Sequence, residues 1–68
     1  MIKIGKKYSP ALDDVLDFNG NKIEYIEILE KDKDIKGNFK VLIYPKNGFC
    51  SVDSISKQDL ENKFKGIS

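Results

Sequence analysis

The stretch Leu16-Asp17-Phe18-Asn19-Gly20-Asn21-Lys22-Ile23-Glu24-Tyr25-Ile26-Glu27-Ile28-Leu29-Glu30 decides how this chain is read. Asn-Gly is the preferred central pair of a type I′ hairpin turn, in which both central residues need positive φ. With Asn19-Gly20 in the turn, Phe18 faces Asn21, Asp17 faces Lys22, Leu16 faces Ile23 and Val15 faces Glu24. That register puts an apolar pair on one face and an opposite-charge pair on the other, each worth about 0.2–1 kcal/mol. The second arm, residues 23–30, has two readings. As a helix, its apolar positions spread over more than half the circumference, which is poor amphipathicity. As a strand, its β-branched and aromatic content fits, and a β-bulge near Tyr25-Ile26 would turn Ile23, Tyr25, Ile26 and Ile28 to one side. The strand is preferred.

Toward the N-terminus, Ile2-Lys3-Ile4 alternates like a strand or strand-like arm, and residues 5–10 read as a loop entering the sheet, because Pro10 restricts Ser9 to extended backbone. Toward the C-terminus, residues 31–38 alternate in charge and end in Gly37-Asn38, as a solvated loop or hairpin tip does. Phe39-Lys40-Val41-Leu42-Ile43-Tyr44 is apolar on both faces, which suits a central strand. Pro45-Lys46-Asn47-Gly48 is a turn, and Phe49-Cys50-Ser51-Val52 returns antiparallel. The last segment predicts a short helix. Ser56 is its N-cap and Asp59 the N3 partner; Ile55 and Leu60 form a hydrophobic staple. Lys63 and Lys65 suit the last turn, Gly66 the terminus, and Leu60 with Phe64 an apolar face that plugs one open end of the sheet.

Composition bounds what such a chain does. Its 68 residues, 40% of them hydrophobic, make one domain. A domain this small buries only about 60% of its unfolded surface and leaves no room for a deep substrate pocket. Twelve Lys and no Arg stand against eleven Asp and Glu, a net charge of +1 without the basic footprint of a nucleic-acid binder. Cys50 is the single cysteine, so it forms no intramolecular disulfide, and it is expected to be a buried or half-buried small residue in a reducing compartment. The longest apolar stretch, residues 41–44, is far short of a membrane span, and nothing near Met1 resembles a secretion signal. The expected location is the cytoplasm.

Taken together, the chain is expected to be mainly β: about five short antiparallel strands in a small, strongly curved barrel with a short C-terminal helix. Gly5-Lys6-Lys7-Tyr8, the Tyr44–Phe49 hairpin and the closing Ser56-Lys57-Gln58-Asp59-Leu60-Glu61-Asn62-Lys63-Phe64 resemble the SH3-like small barrels of bacterial and phage-encoded accessory proteins. The acidic and aromatic motif of peptide-binding SH3 domains is not in the sequence, so the resemblance does not imply recognition of proline-rich ligands.

The residues do not suggest an enzyme or a cofactor. There is no His to activate Cys50 or to join it in holding a metal, and the glycines are isolated turn or cap residues rather than a phosphate-binding loop. Asp13 and Asp14, adjacent in a strand, would point to opposite faces and not converge as an acid–base pair. Charge is more informative. Asp13, Asp14, Asp17, Glu24, Glu27 and Glu30 stand against Lys22 alone and make the first hairpin acidic, whereas Lys3, Lys6, Lys7 and residues 31–46 are basic, and such polarity can steer a charged partner.

Three functions are compatible. One is a protein-binding accessory module, contacting its partner through a sheet edge or through Tyr25, Tyr44 and Phe49; an open edge would also permit a paired homodimer instead of a monomer. The second is an inhibitor whose acidic hairpin (Asp13, Asp14, Asp17, Glu24, Glu27) imitates phosphates in the groove of a host defence or replication enzyme. The third is a nucleic-acid-binding barrel that stacks bases on Tyr8 or Tyr44. The first is preferred, with another protein as partner and no membrane.

Overall fold

A computed structural model describes residues 2–66. The elements run β1 (Lys7–Pro10), β2 (Ile23–Lys31), β3 (Asn38–Pro45), β4 (Ser51–Ser56), α1 (Lys57–Lys63) and β5 (Phe64–Gly66). The strands form one antiparallel sheet of five in the order β4-β3-β2-β1-β5. The chain is therefore mainly β with one short helix, as its sequence suggests.

Residues 23–31 are strand, and the β-bulge is present, one step earlier than expected. The β2–β3 register shifts between Ile23 and Tyr25, and again between Ile28 and Glu30. A bulge adds one residue and bends the strand. Ile23, Ile26 and Ile28 are thereby all buried on one side, while Tyr25 falls outside the core. On β3, Val41 and Ile43 point into the same core and Phe39 packs against its margin. Tyr8, Leu60 and Phe64 complete it.

Two strands arise where loops or helix were expected. β1 is Lys7–Pro10, not Ile2–Ile4, because a turn at Ile4-Gly5 intervenes: the Lys6 amide donates to the Lys3 carbonyl, and Gly5 has φ +85°. Tyr8 then supplies the buried side chain of β1, which pairs with β2 on one side and β5 on the other. Pro10, without an N–H, sits at the strand end, where its missing donor is tolerated. The helix begins as expected, with the Asp59 amide donating to Ser56 Oγ at 3.1 Å. It stops at Lys63, however, because Phe64 turns to extended backbone and opens β5. Leu60 and Phe64 are both buried, one from the helix and the other from the strand.

The Asn19-Gly20 turn is present but is not type I′. Only Gly20 has positive φ (+83°). The Gly20 amide donates to the Asp17 carbonyl at 3.0 Å and the Asp17 amide to the Asn21 carbonyl at 2.8 Å, which makes Phe18-Asn19-Gly20 a three-residue loop. Leu16 consequently bridges to Lys22, one residue away from the expected Ile23. A slip of one residue exchanges faces, so Leu16 is exposed while Ile23 is buried. Apart from this bridge, residues 11–22 form no strand.

Candidate functional site

Asp17 explains the slipped turn. Its Oδ1 accepts from the Asn19 amide at 2.9 Å and the Asn21 amide at 2.8 Å, an Asx-type brace that holds the loop around it. The residue is only 8% exposed. Its Oδ1 is committed to holding the loop.

The other expected acidic residues lie apart from it. Asp13 and Asp14 are exposed in a turn rather than a strand. Asp13 and Glu24 line a shallow cleft beside Lys22 and Lys46, two acids against two bases. Glu27 lies on the outer face of the sheet, opposite Lys7 on β1 and Leu42 on β3. The carboxylates thus do not form one row.

The aromatic residues are partly brought together. Tyr25 and Tyr44 are cross-strand partners whose rings stack, with centroids 4.4 Å apart and 24° between planes. Lys7 Nζ lies over the Tyr25 ring, 5.1 Å from its centre. Desolvation holds the Tyr44 phenol above its ordinary pKa, helped by the negative charge of Glu27 and by Tyr25 and Cys50 nearby. The two tyrosines therefore occupy each other's faces and are half-buried. Tyr8, the other residue expected to stack on bases, is in the core.

Phe49 is different. β4 starts at Ser51, so Phe49 and Cys50 belong to the β3–β4 turn. Phe49 is 93% exposed, and Cys50 is exposed rather than buried, because neither reaches the sheet. Phe18, at the tip of the β1–β2 loop, is 86% exposed. The loops that carry these two rings adjoin: the Lys46 amide donates to the Lys22 carbonyl at 2.8 Å. A Cβ placed on Gly48 would lie 3.2 Å from the Asn21 amide nitrogen Nδ2. One end of the molecule thus carries two phenylalanines with almost no protein around them. Sequence reasoning singled out Phe49 and missed Phe18. The available signal was a large apolar residue inside a polar turn, where neither arm of a hairpin can cover it.

Among the described residues, no group of three or more His, Cys, Asp and Glu is placed to hold a metal ion, and no helix is long and apolar enough to cross a membrane. Compared with known protein families, curated proteins and solved structures, the chain matches none.

Proposed function

We infer that the protein is a non-catalytic protein-binding module whose anchors are Phe18 and Phe49. The observation that carries this reading is the near-complete exposure of both rings on adjoining loops. An exposed aromatic ring gains nothing for the fold and costs solubility, whereas a ring driven into a partner's pocket is a common source of binding energy. Because both rings project from loop tips, the fitting partner is a protein with a concave apolar surface. The half-buried Tyr25, Tyr44 and Leu42 with exposed Val52 form an outer face that can serve as the rim of the same contact.

The fold that presents these loops is read as a small SH3-like barrel. The strand order, the pairing of β1 with both β2 and β5, the two bulges of β2 and the helical turn between β4 and β5 support that reading. The test is capture of a partner by tagged protein and by a Phe18→Ser/Phe49→Ser variant. Equal capture by the two would remove these rings from the interface.

A further inference from the structure

At the opposite end of β2 and β3 lies a groove of about 770 Å³, within the roughly 300–1,000 Å³ span of ligand sites. Its apolar lining includes Phe39 and Ile2, which pack against the core. Lys31, Lys36 and Lys57, all exposed, come to it from β2, the β2–β3 loop and α1. Lys57 is twenty-one residues beyond Lys36 in sequence, and the fold joins their two walls directly: the Lys57 amide donates to the Gly37 carbonyl at 3.1 Å.

Two acidic residues also line the groove. Asp32 is nearly buried, and its carboxylate is engaged by the Ser54 hydroxyl and by the amides of Asp34 and Ile35. Glu61 is exposed, one helical turn beyond Lys57 on α1. The groove lining is therefore three lysines against two carboxylates, a net positive charge, with Asp32 hydrogen-bonded within the fold and Glu61 open to solvent.

We propose that this groove binds an acidic peptide segment, seating a large apolar side chain on Phe39 and Ile2 while its carboxylates meet Lys31, Lys36 and Lys57. Charge complementarity selects an anionic ligand. A peptide is favoured over nucleic acid because Asp32 and Glu61 interrupt the positive wall: a continuous row of phosphates is repelled there, whereas a peptide can set its carboxylates against the lysines and an apolar side chain between them. The loop brace and the Lys57–Gly37 bond form the groove in advance, which lowers the ordering cost of binding. This site is separate from the phenylalanine end and does not depend on it.

The probe is a fluorescent octapeptide alternating Glu and Leu around a central Phe, followed by anisotropy. It should bind, more weakly as salt rises. Its Gln-for-Glu counterpart should bind at least about tenfold more weakly, as should the variant Lys31→Glu/Lys36→Glu/Lys57→Glu toward the acidic peptide. The milder Lys31→Gln/Lys36→Gln/Lys57→Gln variant, checked for native circular dichroism, should lose affinity in the same direction. Phe18→Ser/Phe49→Ser should bind the peptide unchanged. No binding of the acidic peptide, equal binding of the Gln peptide, or indifference to both lysine variants would overturn the proposal. Tighter binding of a single-stranded DNA dodecamer, lost in the same lysine variants, would overturn it in favour of nucleic acid.

Discussion

The Ser54 hydroxyl on β4 donates to the Asp32 carboxylate just beyond β2, tying the β2–β3 loop to a strand twenty-two residues away. Asn38 donates its side-chain amide to the same hydroxyl at 3.0 Å, and Asp32 Oδ1 accepts from the Asp34 amide at 2.8 Å. The Ser54 hydrogen bond is the largest cause holding the Asp32 pKa below its ordinary value of 3.8, followed by the Asp34 amide. A carboxyl with a depressed native pKa stabilises the fold fully above its unfolded pKa. That contribution fades as pH falls through the native value. Denaturant unfolding from pH 7 down to 2 should therefore show stability falling below about pH 4. Asp32→Asn should be less stable at pH 7 and show a shallower decline. An Asp32→Asn curve parallel to the wild-type one would contradict the linkage.

Asp17 separates a structural carboxylate from surface ones. Asp17→Ala leaves two loop amides without their acceptor and should cost about 1–2 kcal/mol in urea unfolding. Asp13→Asn and Asp14→Asn should each stay within about 0.5 kcal/mol of the parent protein. Gly20→Ala, forced into positive φ, should cost about 1 kcal/mol or more. Equal, small effects at Asp17 and Asp13 would show that the loop is not braced as described.

The Tyr25–Tyr44 stack predicts behaviour at high pH. With the Tyr44 pKa raised in the native state, the unfolded chain ionises first, so stability is retained below about pH 10 and falls as pH rises through the native value. Absorbance titration should show Tyr44 ionising above its ordinary range, and Tyr44→Phe should remove that late phase. The double-mutant cycle of Tyr25→Leu with Tyr44→Leu should return a coupling of about 0.5–1.5 kcal/mol. No coupling would mean that the rings do not stack in solution.

Cys50 offers a reporter beside one proposed anchor. As an exposed thiol it should react fully with a thiol reagent in the native protein, without denaturant. A partner that covers Phe49 should slow this reaction. A thiol that reacts only after unfolding would place the β3–β4 turn against the protein instead.

Much of this architecture is legible in the residues. The β-branched run of β2 and the two apolar faces of β3 identify central strands, and Ser56 with Asp59 marks the helix start, because each signal is local. The bulge could be inferred from apolar residues at both parities, but its position, at Glu24 instead of Tyr25-Ile26, depends on pairing with β3. The type I′ reading of Asn19-Gly20 failed because a side chain two residues earlier, Asp17, captured the loop amides. β5 was hidden because its three residues form a strand only by pairing with β1. The candidate surfaces were harder to read for the same reason. Phe18 joins Phe49 through contacts between two loops, and Lys36 joins Lys57 through a contact between a loop and the start of α1, each far apart in sequence.

The most direct test of the protein-binding account is capture from a lysate of the organism that encodes the chain, after nuclease treatment, by wild-type protein, Phe18→Ser/Phe49→Ser and Lys31→Gln/Lys36→Gln/Lys57→Gln. The account predicts one specific protein retained by the wild type and by the lysine variant and lost by the phenylalanine variant, with native circular dichroism in all three. Equal recovery by the phenylalanine variant, or recovery of nothing but nuclease-sensitive material, would contradict it.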